Sequence, residues 1–168
     1  MGAVTTVHGM FTLTNDLAAP PATVYAAFAD PALRDRWFRI PGPSAQHRYE
    51  LDFREGGGET ASNNFPVEGG VEALGYRSHF LDLVPDTRIV YAYDVVVDGR
   101  RRWASLATVE LAPSAKGTRM SWTEQYAFLE VTGDGSGDVA HLRGGTQLRI
   151  NGLSMLVRTL VEEGAASR

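Results

Sequence analysis

The stretch Arg88-IVYAYDVVVDGRRRWASLATVELAPSAKGTRMSWTEQYA-Phe128 decides the fold. Arg88 to Val97 is dense in β-branched and aromatic residues, the composition of a strand. Asp98-Gly99 is a strong hairpin signal and leads into Arg101 to Ala112. Ala115-Lys116-Gly117 turns the chain again into Thr118 to Phe128, where Met120, Trp122, Glu124, Tyr126 and Phe128 alternate onto one face. Three consecutive strands joined by tight turns make an antiparallel meander.

Upstream, Val71 to Val84 reads as one more long strand, with a bulge or bend expected at Gly75. A weaker strand runs from Gly58 to Phe65, and Pro66 to Gly70 reads as a loop. Tyr49, Leu51 and Phe53 alternate with Glu50, Asp52 and Arg54 ahead of Gly56-Gly57-Gly58. Val7 to Leu17 alternates as well, which makes seven strands. Between the first strand and the rest, Pro20-Pro21 opens a helix, because proline at the first helical position forfeits no hydrogen bond. Asp30-Pro31 ends that helix and caps a second, shorter one reaching Trp37-Phe38.

Downstream, Gly133 to Asp138 reads as a flexible linker. Val139 to Glu163 has helical period, with Leu148, Gly152, Met155, Leu156 and Thr159 in one stripe and Leu153 and Leu160 beside it. The order is β-α-α-β6-α: an α+β chain whose seven-stranded curved antiparallel sheet is expected to hold one long C-terminal helix and leave a cavity between them.

The totals fit one domain over residues 1–168, with its core at about 7–163. The 168 residues are 43% hydrophobic, with 16 basic against 20 acidic side chains. No basic stripe offers the clustered cations that nucleic-acid binding requires; Arg100-Arg101-Arg102 reads as a solvated hairpin corner. With no cysteine, there is no disulfide, thiolate metal site or cysteine nucleophile, which fits a reducing cytoplasm. MGAVTTVHGMF lacks the features of a signal peptide, and no apolar run approaches the roughly 20 residues of a membrane span. His8, His47, His79 and His141 have no metal-ligand spacing. No Gly-x-Ser-x-Gly elbow occurs. Gly133 to Asp138 lacks the contexts of a dinucleotide loop and of an EF-hand. No metal and no cofactor is expected.

Five segments together resemble the START-like helix-grip superfamily and, within it, bacterial proteins similar to the activator of Hsp90 ATPase. They are AAPPATVYAAFADPALRDRWF at 18–38, YELDFREGGGE at 49–59, GYRSHFLDLVPDTRIVYAY at 75–93, GTRMSWTEQY at 117–126 and GGTQLRINGLSMLVRTL at 144–160. The resemblance implies a helix-grip fold with a ligand cavity between sheet and last helix. Two departures stand out. Thr146 follows Gly145 where relatives often carry tryptophan, leaving the cavity roof roomier or more polar. The Asn-Trp-His-Trp type motif of the eukaryotic activators is absent, so stimulation of Hsp90 has no support beyond the shared fold.

Within that frame, Glu124 lies among four large apolar residues. Burial would raise its pKa into the range of acid–base chemistry, unless it sits at the rim or pairs with Arg77 or Arg143. His79 shares its strand face with Arg77, Leu81 and Leu83, and a histidine in the cavity can move a proton at neutral pH. Tyr91, Tyr93, Trp103, Trp122 and Tyr126 concentrate aromatic surface with polar tips, two or three of them expected to line the cavity. Trp37 and Phe38 read either as a flap over its mouth or as a hydrophobic plug. Asn151 borders the helix stripe that includes Met155. The expectation is a small hydrophobic or aromatic ligand. Two alternatives stand beside it: a polyketide cyclase-like or other acid–base enzyme using Glu124 and His79, and a chaperone-associated interaction module. An exposed edge strand offers a route to a homodimer.

Overall fold

The computed structural model describes residues 5–167. The elements follow in the order β1 (Val7–Leu17), α1 (Pro21–Ala29), α2 (Pro31–Trp37), a single 3-10 turn (Ser44–Gln46), β2 (Arg48–Leu51), β3 (Glu59–Val67), β4 (Gly70–Val84), β5 (Arg88–Val97), β6 (Arg100–Ser114), β7 (Gly117–Phe128) and α3 (Ser136–Ala166). The strands form one antiparallel sheet in the order β1-β7-β6-β5-β4-β3-β2. The sheet curves around α3, giving the α+β helix-grip architecture. No helix among the described residues is long and apolar enough to cross a membrane.

Local chemistry accounts for the joints. Asp30 Oδ1 accepts from the backbone N–H groups of Ala32 at 2.8 Å and Leu33 at 3.1 Å, satisfying two otherwise unpaired donors at the start of α2. In the β5–β6 hairpin, Asp98 and Gly99 both adopt left-handed backbone, with φ of 51° and 77°. That geometry matches the natural twist of the flanking strands. α3 begins inside the expected linker, at Ser136; Asp134 Oδ1, in the loop, accepts from Ser136 N and Oγ, and Asp138 Oδ2, in the first helical turn, accepts from Thr132 N.

Four expectations need correction. Gly75 sits in regular pairing with Ser62 and Val96, and the register shift in β4 falls between Phe80 and Asp82. Pro66 to Gly70 is not a loop, because Pro66 pairs with Val71 and Val67 with Gly70 in a tight hairpin. The Tyr49 strand stops at Leu51. The helix stripe is rotated: α3 buries Leu142, Thr146, Ile150, Leu153, Leu156 and Val157, while Leu148 and Met155 are exposed by 72% and 69%. Five glycines and several short polar residues flatten the helix pattern, so local period alone does not select the buried face.

The core fills the space between the inner sheet face and the three helices. Leu17, Val24, Ile89, Val109, Met120, Ile150, Leu153 and Val157 have no exposed surface. Each fully buried aliphatic side chain of this kind stabilises by about 1.5–3 kcal/mol.

Candidate functional site: a polar interior under the helix

Two carboxylates are enclosed in this core, and their surroundings differ. Glu59, at the start of β3, faces Arg34 of α2 in a two-pronged ion pair. Arg34 Nε donates to Oε1 at 2.7 Å and Nη2 to Oε2 at 2.8 Å. Tyr49 Oη donates to the same Oε1 at 2.6 Å, and Ser78 Oγ accepts the Glu59 N–H at 3.1 Å. The guanidinium lies against aromatic faces, 4.1 Å from the Phe38 ring centre and 4.3 Å from that of Trp37. Burial lowers the Arg34 pKa, but the Glu59 charge and hydrogen bonds outweigh it and hold the group firmly protonated. One nitrogen, Nη1, is buried with no partner.

Glu124, at the middle of β7, is fully buried and has no ion pair. Its oxygens face neutral donors: Tyr93 Oη donates to Oε1, and Trp122 Nε1 donates to Oε2 at 3.3 Å. Thr146 Oγ lies 3.5 Å from Oε2 and 2.9 Å from the Leu142 carbonyl. A hydroxyl has one proton, and the shorter contact takes it to Leu142, so a lone pair of Thr146 faces the carboxyl. Burial pushes the Glu124 pKa up; the Tyr93 hydrogen bond, and more distantly Arg149, oppose this without cancelling it. The same burial, with the adjacent carboxylate, drives the Tyr93 hydroxyl well above its usual range.

Aromatic rings connect the two acids. Tyr76 packs on Tyr93 with ring centres 5.2 Å apart, and Phe38 on Tyr76 at 4.7 Å. Tyr91 meets Trp122 edge-on at 6.3 Å. Tyr76 Oη is buried without a hydrogen-bond partner, and Ser105 is buried beside Tyr93 and Glu124. On the helix side Arg149 stacks over Phe38 at 4.7 Å, at the seam between α2 and α3.

The structure thus brings together Glu124, Tyr91, Tyr93, Trp122 and Phe38. Trp37 is buried beside them, its indole N–H donating to Ala27 O at 2.9 Å, and with Phe38 it forms a plug rather than a raised flap. Tyr126 is half-buried over Gly9, where an added Cβ would lie 2.6 Å from the tyrosine hydroxyl. Trp103 packs on Phe128 at 5.6 Å.

Four residues expected in this group lie elsewhere. His79 and Arg77 are exposed on the sheet face away from α3, alternating with the buried Tyr76, Ser78 and Phe80. Arg77 pairs with Asp94 at 2.8 Å rather than with Glu124. The acid–base pair of Glu124 and His79 is therefore not assembled, since a sheet stands between them. Asn151 and Met155 are on the outer side of α3, where Asn151 accepts from Gln147 at 3.0 Å. Arg143, the other suggested partner of Glu124, instead lies over Phe11, 5.4 Å from its ring centre.

No motif in the sequence singles out Arg34, Glu59, Tyr76, Ser105 or Arg149. The alternation Tyr76-Ser78-Phe80 was available as a signal. Arg34 and Glu59 offered none, because their partnership joins a helix to a strand 25 residues away. Among the described residues, no cluster of three His, Cys, Asp or Glu is arranged to hold a metal ion.

Comparison with known proteins agrees with this architecture. Residues 18–158 match the family described as activator of Hsp90 ATPase homolog 1-like protein. Among solved structures, the chain is similar to an uncharacterised protein from Rhizobium leguminosarum, with 33% identity, a TM-score of 0.78, and coverage of 92% of this chain and 97% of that one. It is also similar to Mll3558 from Rhizobium loti, with 36% identity, a TM-score of 0.70, and coverage of 88% and 99%. SA2116 from Staphylococcus aureus, at 16% identity and a TM-score of 0.70 over 94% and 98% of the two chains, shares the fold. No curated protein matches the chain.

Proposed function

This chain belongs to the activator of Hsp90 ATPase homolog 1-like family, and we propose that it binds a small aromatic or hydrophobic molecule between the sheet and α3, with Glu124 as the orienting group. The observation that carries this reading is the contrast between the two buried acids. An enclosed carboxylate is costly unless matched by a cation, and Glu59 has that match in Arg34. Glu124 is surrounded instead by Tyr93, Trp122 and Thr146, neutral groups suited to exchanging hydrogen bonds with a ligand.

The aromatic lining supports the same reading. Tyr76, Tyr91 and Phe38, packed within the core, are the flat apolar faces a ligand would part, and the unpaired hydroxyl of Tyr76 provides a further point for its polar edge. The seam where Arg149 covers Phe38 is the proposed way in. Helix-grip folds serve many activities, so the reading rests on these side chains rather than on fold alone.

Native mass spectrometry of gently purified protein tests it. A retained small molecule, with affinity reduced at least tenfold in Glu124→Gln while the fold persists, is the expected result. A protein that is empty, and remains so when titrated with naphthalene-type phenols and medium-chain fatty acids, overturns it.

A further inference from the structure

The sheet face opposite α3 carries a concavity of its own, an open trough of about 910 Å³ to which none of the three helices contributes. Register defines two rows of side chains across it. One runs His8–Ala127–Ala104–Asp94–Arg77, and beside it runs Met10–Gln125–Leu106–Ala92–His79. In the first row the neighbouring strands β7 and β6 present only methyl groups, at Ala127 and Ala104. Taller side chains surround them, and this difference in height makes the trough. His8 and Asp94 stand three strand spacings apart, or about 14 Å.

The trough is chemically divided. One end has two guanidinium groups sharing a single carboxylate: Arg77 Nη2 lies 2.8 Å from Asp94 Oδ2, and Arg101 Nε 3.4 Å from the same oxygen. Two cations against one anion leave this end positive, on a chain whose net charge is −4. Arg77 commits one of its five N–H donors to Asp94, while Arg101 is held beside the same carboxylate by charge alone. The middle of the trough has the alanine methyls as its floor, with Met10 and Leu106 beside them and the Gln125 amide between those two. Met10 is 63% exposed, a large thioether left in solvent beside that floor.

We propose that this trough is a second binding site, for a small organic anion with a flat apolar body. The body lies on the alanine floor between Met10 and Leu106, and the anionic group meets the free donors of Arg77 and Arg101, whose planar forks match a carboxylate or sulfonate. The site is separated from Glu124 by the thickness of the sheet. It stands or falls independently of the interior binding reading.

The test uses 2-naphthoate as the probe and the methyl NMR signals of the alanines and methionines as the readout. Saturable shifts at Ala92, Ala104, Ala127 and Met10 are expected in the wild-type protein. Arg101→Gln is expected to weaken binding about tenfold by removing a charged donor. Ala104→Phe fills the trough from the solvent side and is expected to abolish it, whereas Glu124→Gln leaves it unchanged. The proposal is overturned if these methyls do not shift at millimolar probe, if binding survives in folded Ala104→Phe, or if Glu124→Gln removes it. The wild-type shifts locate the probe without any variant, so a poorly folding mutant does not blunt the test.

Discussion

Arg34 and Glu59 are joined by two hydrogen bonds of 2.7 and 2.8 Å with almost no solvent contact, their residues being exposed by only 1% each. This pair ties α2 to β3 and sets the position of Trp37 and Phe38 above the inner sheet face. Removing one partner leaves the other charge buried and unmatched. Arg34→Met should therefore cost about 3–5 kcal/mol, whereas Arg34→Met with Glu59→Met should recover a large part of that loss. Urea denaturation of the three proteins checks it; a double variant no more stable than the single one would contradict the account.

Glu124 makes a prediction about pH. Its folded pKa lies above the ordinary value of 4.5, chiefly because of burial. Below that ordinary value both folded and unfolded chains hold the proton. As pH rises past it, the unfolded chain releases the proton first, so the folded state loses stability until its own, higher pKa is passed. Glu124→Gln has no such proton to lose. The stability of wild type relative to Glu124→Gln should therefore fall as pH rises from the acid range, as measured by thermal or urea unfolding across pH. A difference independent of pH would refute the assignment.

Two glycines should respond oppositely to alanine. A Cβ on Gly58 would lie 2.3 Å from the backbone carbonyl oxygen of Ser78, whereas one on Gly75 meets nothing nearer than Val96 at 3.9 Å. Gly58→Ala forces β3 and β4 apart and should cost at least about 1–3 kcal/mol. Gly75→Ala, in ordinary extended backbone, should stabilise by about 0.4–1 kcal/mol through the unfolded state. Melting temperatures of the two variants decide the matter.

The orientation of α3 can be read by substitution. Ile150→Ala should cost about 2–5 kcal/mol, since its side chain is fully enclosed. Leu148→Lys and Met155→Lys, on the exposed side, should stay within about 0.5 kcal/mol of wild type. Large losses at Leu148 or Met155 in denaturant titrations would place the buried face elsewhere.

Much of this was legible in the residues. The Asp30 cap, the Asp98-Gly99 turn and the seven strands follow from interactions within a few positions of one another, which any local reading captures. Within each strand, alternation correctly grouped Trp122 with Glu124 and Arg77 with His79. Thr146, noted as a departure from its relatives, proved to be the helix residue that touches Glu124.

What alternation leaves open is which of a strand's two faces meets the helix. A sheet has two sides, and the parity of one strand against the next is set by register over pairs as distant as Phe11 and Glu124. The sequence by itself thus determined the elements, their order and the residues that share a face. Only the tertiary structure put His79 on the opposite face of the sheet from Glu124, matched Arg34 to Glu59, and turned Leu148 and Met155 to solvent. Those choices depend on contacts between segments far apart in the chain, where burying one face of each element is favourable only once its partner's face is in place.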